Sequence, residues 1–141
     1  MPKRSLHFIP RDQVEQMELL AAQAQKSLSR FAGIEVQYNA TALQLLDEWI
    51  ERHLRQFSTP DKRLMMIWGA FLGEVFRRRF SGDWAIEKVQ HKSRLGVLCP
   101  RDNAGLLFIP VMDQVHRRLK EGLQASLVLY YTMKGFEIRG G

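Results

Sequence analysis

Leu64-Met65-Met66-Ile67-Trp68-Gly69-Ala70-Phe71-Leu72-Gly73-Glu74-Val75-Phe76-Arg77-Arg78-Arg79 decides the fold. From Leu64 to Leu72 the stretch is apolar on nearly every side, the composition of a helix surrounded by protein. Just upstream, Thr59 can cap, Pro60 suits the first helical position, and Asp61 faces the positive end of the helix dipole. The helix is predicted to end at Arg79 or Phe80. Its longest apolar run, Leu64 to Gly73, falls well short of the about 20 residues that span a bilayer, so the helix belongs at the centre of a domain. Gly69 and Gly73 lie four apart on one face. Each costs about 1 kcal/mol relative to Ala, and together they predict the close approach of another backbone.

Working outward toward the N-terminus, two more helices are expected. Arg11 to Phe31 places Val14, Met17, Leu20, Ala21, Ala24, Leu28 and Phe31 on one face, and Gly33 is the natural stop. Ile34, Val36 and Tyr38 then alternate with polar residues, which suits a short strand or an extended connector. Thr41-Ala42-Leu43-Gln44 fits a capping box, and the helix it opens should reach Gln56 with Leu43, Leu46, Trp49, Ile50 and Leu54 inward. Residues 1–10 read as an N-terminal tail.

Toward the C-terminus, Ser81-Gly82-Asp83 is a turn. Trp84 to Val89, Leu95 to Cys99 and Gly105 to Ile109 are β-like, with polar breaks at His91 to Arg94 and Pro100 to Ala104. Connectors this short predict a three-stranded antiparallel meander. Val111 to Gly122 should be a helix with Val111, Val115 and Leu119 inward, and with Arg117, Arg118 and Lys120 near its C-terminus, where cations are favoured. Leu123 to Met133 is β-prone in composition, but its length favours a helix. The expected architecture is α+β: one domain over residues 11–134, with N-terminal helices, a small sheet, C-terminal helices, and a tail over 135–141.

The 45% apolar content supplies one core and excludes a disordered chain. Cys99 is the only cysteine, so no internal disulfide is possible, and its apolar setting suits a buried thiol. Met1 to Arg11 lacks an apolar run of signal-peptide length. The expected location is the cytoplasm, with no membrane partner.

Charge is uneven. Residues 52–101 hold 11 Lys/Arg against 4 Asp/Glu, and this segment accounts for the whole formal excess of +6. Arg52, Arg55, Lys62, Arg63, Arg77, Arg78, Arg79, Lys88, Lys92, Arg94 and Arg101 are therefore candidates for nucleic-acid contact, with Trp84 as a stacking surface, although no nucleic-acid-binding motif accompanies them. Glu74 stands three before Arg77 and four before Arg78. Such pairs stabilise a helix by about 0.2–0.5 kcal/mol. The alternative is that Glu74, Arg77, Arg78 and Trp84 line a cleft that holds a ligand or partner, with Asp47 as a further candidate contact. Asp47 lies beside an apolar stripe and is either an exposed helix acid or a half-buried hydrogen-bonding group. His7, His53, His91 and His116 show no metal-ligand spacing, His53 reads as a solvated helix residue, and no phosphate-binding or dinucleotide fingerprint is present. No catalytic residue, metal or cofactor is assigned.

One further pattern bears on function. Tyr38, Thr41, Leu43, Leu46, Asp47, Trp49 and Ile50 are followed by Gly69-Ala70-Phe71-Leu72-Gly73-Glu74-Val75, Arg77 and Arg78, then by Gly82 and Trp84. Pro110, Val115, Arg117-Arg118-Leu119, Gly122 and Tyr130-Tyr131 come later. Over residues 34–131 this resembles a group of small bacterial domains of unknown function, in which a G-A-Y-L-G-E-V-x-R-R helix precedes a G-x-W strand. Phe71 stands where the group usually has tyrosine, and Gly82 stands alone where two glycines are common. Some members occur in toxin–immunity settings, so the resemblance implies a binding or neutralising role and no reaction. The expected function is a non-enzymatic protein-interaction domain, immunity-like or adaptor. Nucleic-acid binding through residues 52–101 is the alternative, and an enzyme cleft around Glu74, Arg78 and Trp84 ranks third.

Overall fold

A computed structural model describes residues 3–57, 59–103 and 105–140. In chain order the elements are β1 (Arg4–Phe8), α1 (Arg11–Ala32), α2 (Ala40–Gln56), α3 (Lys62–Phe80), β2 (Asp83–Val89), β3 (Lys92–Pro100), β4 (Leu106–Ile109), α4 (Val111–Glu121), a 3-10 turn (Gly122–Ala125) and α5 (Leu127–Ile138).

Helix α3 is the centre. Trp68 through Phe76 are buried without interruption, and α3 packs against α1, α4, α5, β2 and β3. The expected inner face of α1 is buried at Met17, Leu20, Ala21, Ala24 and Leu28, and the chain leaves that helix through Gly33 at φ 72°. In α2, Leu43, Leu46 and Ile50 are fully buried, as the periodicity predicts. Residues after Gly122 settle as helix, which the length argument favoured.

The sheet has four antiparallel strands in the order β1-β2-β3-β4, not three. The residues expected to form an N-terminal tail supply the extra strand, pairing Arg4 with Val89 through Phe8 with Ala85. Its side chains are mostly exposed, so no apolar alternation marked it. The backbone ladder, an ion pair from Arg4 to Glu87, and Ile9 buried just beyond hold it in place. The expected tail over 135–141 is corrected in the same way. Helix α5 continues to Ile138, which is buried, and the carbonyl of Ile138 accepts from the Asp102 N–H at 2.9 Å.

Local starts also differ. The cap of α2 is Asn39, accepting from the Ala42 N–H at 3.0 Å, rather than Thr41. The cap of α3 is Asp61, accepting from the Leu64 N–H at 2.7 Å, rather than Thr59. Ile34 to Tyr38 is a connector and not a strand; Ser29 Oγ and Gln25 Nε2 satisfy the backbone of Val36. What approaches the two α3 glycines is side chain rather than backbone. A methyl at Gly69 would meet the Met112 thioether, and one at Gly73 would collide with the Trp84 indole.

Candidate functional site

Among the described residues three buried carboxylates are held by arginines, Glu87 by Arg4 and Arg94 within the sheet, and Glu74 and Asp47 in two clusters built on helices; an exposed apolar stripe lies on α5. The first cluster forms because Glu74 falls on the α3 face that meets β2. Its carboxylate is fully buried, and four side-chain hydrogen bonds saturate it. Arg77 donates twice, from Nε at 2.6 Å and Nη2 at 2.7 Å; Arg78 Nε donates at 3.1 Å; and Trp84 Nε1 donates at 2.8 Å. Gly73 leaves room for the indole to lie against α3 and reach that oxygen. Burial is the largest single influence on Glu74 and raises its pKa. The hydrogen bonds from Arg77, Trp84 and Arg78, with the Arg77 charge, together outweigh it and hold the pKa below the ordinary value.

Thus the expected helix ion pair exists, and it lies inside the protein. Glu74, Arg77, Arg78 and Trp84 are brought together, but Glu74 and Trp84 are sealed from solvent and offer no lone pair or N–H to a ligand. Such a carboxylate is a poor general acid or base, because that role needs a group within reach of a substrate proton and a pKa near the working pH. The arginines do reach the surface: Arg78 borders a groove where its guanidinium lies 3.7 Å from the centre of the Tyr38 ring, and Arg77 borders a smaller one beside Phe8 and Asp83.

The second cluster joins α2, α4 and α5. Arg118, expected near the C-terminus of α4 where cations are favoured, is fully buried. Its Nε donates to Asp47 Oδ1 at 2.8 Å and its Nη2 pairs with Glu51 at 2.9 Å. Asp47 also accepts from the Leu127 N–H at 3.0 Å and the Val128 N–H at 3.1 Å. A carboxylate on α2 therefore caps α5, satisfying donors that a helix start leaves orphaned. The half-buried alternative for Asp47 holds, and its work is structural. The sequence signal for Arg118 was available: Val111, Val115 and Arg118 share one helical face.

The basic segment 52–101 does not act as one unit. Arg77 and Arg78 are taken by Glu74, and Arg94 pairs with both Glu87 and Asp113. Lys88 and Lys92 lie at the β2–β3 turn. Arg79 lies beside the Phe80 ring. Lys62 and Arg63 lie at the other end of α3, about 22 Å from Arg77 by helical rise, and Arg52 and Arg55 lie in the last turns of α2. Trp84, expected as a stacking surface, is buried. His53 is not a solvated residue: its ring packs edge-on against Trp68, 5.6 Å between centres, and beside Phe57 at 4.8 Å. Cys99 is buried, and burial first, then the charge of Asp83, pushes its thiol up to about 12. Among the described residues no three His, Cys, Asp or Glu side chains gather as metal ligands. Among the same residues no helix is long and apolar enough to cross a membrane.

The apolar face belongs to α5. Leu127 and Ile138 point into the core, while Leu129, Met133 and Phe136 are 49%, 58% and 60% exposed. Their spacing of four and three puts them on one outward stripe. Beside it, between α4 and α5, runs a groove of about 470 Å³ lined in part by Gln114, Arg117, Tyr130 and Met133. Sequence reasoning passed over this face because Leu123 to Met133 was given no inward or outward side and Phe136 fell in the expected C-terminal tail. No family model, curated protein or solved structure matches the chain.

Proposed function

We propose that this chain is a non-enzymatic protein-interaction domain, immunity-like or adaptor in character and cytoplasmic, which receives an amphipathic helix of another protein on the outer face of α5. The observation that carries this reading is the stripe of Leu129, Met133 and Phe136, large apolar side chains left in water by a helix whose opposite face is already buried. Helix-in-groove recognition uses anchors at this spacing. The charges at its margin are already paired internally, Lys134 with Glu137 and Arg117 with Glu121, which suits an apolar contact without strong charge selection. The saturated state of Glu74 supports a structural role for that residue. The resemblance to small domains found in toxin–immunity settings agrees with a binding role.

The test is a crosslinked capture from native lysate by the wild-type chain and by a Leu129→Ser, Met133→Ser, Phe136→Ser variant of equal thermal stability. The reading requires a partner held by the first and lost by the second. Identical captures would end it.

A further inference from the structure

Three helices bring unpaired cations and exposed aromatic rings to one end of the helical layer, where Arg52 and Arg55 also border a groove shared with Glu48, Glu51 and Val128. Arg63, at the start of α3, donates to Gln23 of α1 at 3.1 Å. Arg52, in the last turns of α2, lies 4.5 Å from the centre of the Phe31 ring, at the end of α1. Those two contacts place the C-terminal half of α1, the end of α2 and the start of α3 beside one another. Exposed Lys26 and Arg30 on α1, Arg55 on α2 and Lys62 on α3 join Arg52 and Arg63 there. Among the described residues none of these six cations has a carboxylate within ion-pair distance.

The acids in the same segments are partly engaged elsewhere. Glu51 is held by Arg118, and Asp61 caps α3. Glu35 and Glu48 remain exposed at the border. Helix stability explains Arg30 and Arg55, which lie in last turns where the dipole favours a cation. It does not explain Lys62 and Arg63. They occupy the first turn of α3, which contains no acid and where the dipole disfavours positive charge. Phe57 stands next to this group, 56% exposed, its ring backed by His53, which in turn rests on Trp68. A ring held from behind and open in front is a stacking platform.

We infer that this end of the molecule binds single-stranded nucleic acid, with the cations on phosphates and Phe57 against a base. Cations with exposed aromatics are the elements by which single strands are held without sequence selection. A duplex hides its bases from such a ring. This surface is distinct from the stripe of Leu129, Met133 and Phe136, although its Arg52 and Arg55 border a groove that Val128 of α5 also lines.

The test is fluorescence anisotropy of the full chain with a labelled oligothymidylate and an oligouridylate of about 12 nucleotides, against a duplex of equal length and heparin, over a salt series. Single strands should bind more tightly than duplex, with affinity falling steeply as salt rises. Lys62→Glu with Arg63→Glu should flatten the salt dependence by about 0.7 in log–log slope for each phosphate no longer neutralised. Phe57→Ala should weaken binding about tenfold with the salt slope unchanged. Both variants must keep the wild-type far-ultraviolet spectrum and a cooperative melting transition well above the assay temperature. No binding at low salt overturns the inference. Equal affinity for duplex and heparin, with no response to Phe57→Ala, also overturns it, since that pattern is generic polyanion attraction.

Discussion

The two ends of α3 each carry consecutive cations, and the fold uses them in opposite ways. At the C-terminal end, Arg77 and Arg78 close on a buried carboxylate and tie the helix to Trp84 of β2. At the N-terminal end, Lys62 and Arg63 stand in water with the dipole against them, and among the described residues no acid lies within ion-pair reach. A charge run is therefore no unit of function. What separates the two ends is whether a carboxylate shares the local face, and only Glu74 does. The first end explains how the fold is held, and the second is where charge remains free for a partner.

That contrast can be broken by experiment, beginning with the largest effect. Glu74→Ala leaves Arg77, Arg78 and the Trp84 N–H without their shared acceptor. Breaking a fully buried pair from one side costs about 3–5 kcal/mol; Arg77 and Arg78 keep partial access to water, so urea denaturation at pH 7 should show a loss near the lower end of that range. A loss near zero would mean that the carboxylate is solvated and the contrast is false. Gly73→Ala tests the same end through shape, because the new methyl meets the Trp84 ring. Overpacking of this kind costs about 1–3 kcal/mol, and the indole fluorescence should shift with it.

The third prediction is graded with pH. The pKa of folded Glu74 lies below its unfolded value. Its stabilisation is therefore complete above the unfolded pKa, about 4.3, and is lost as pH falls through the folded one. Denaturation curves of wild type and Glu74→Gln should converge as pH is lowered, and a constant gap would contradict the assignment. The smallest effect has the opposite sign. Lys62→Glu with Arg63→Glu places acids in the first turn of α3 and should stabilise the protein, by about 0.3–1 kcal/mol per favourable charge. Lower stability would show that these cations serve the fold.

Much of this was legible in order of periodicity. The burial of α3, the inward stripes of α1 and α2, and the β2–β3–β4 meander follow from apolar spacing, because each residue's face is fixed by its own helix or strand. Strand β1 was not legible. Arg4 to Phe8 buries little, and it is a strand because β2 offers an open ladder. The caps slipped by two residues because Asn39 competes with Thr41, and Asp61 with Thr59, and the path of the incoming chain chooses between them. Glu74 was singled out, but as an exposed pair or a cleft residue, since nothing local announces that Trp84 folds back onto it.

Asp47 and Arg118 mark the boundary between the two kinds of knowledge. By itself the sequence determined that each falls on an apolar stripe, Asp47 beside Leu43, Leu46 and Ile50, and Arg118 with Val111 and Val115. That they answer one another across 71 positions, and that the same carboxylate caps α5, was decided only by the packing of α2 against α5 and α4. The physical reason is that helical spacing fixes the direction of a side chain, whereas a buried charge is tolerated only where the rest of the chain delivers its partner.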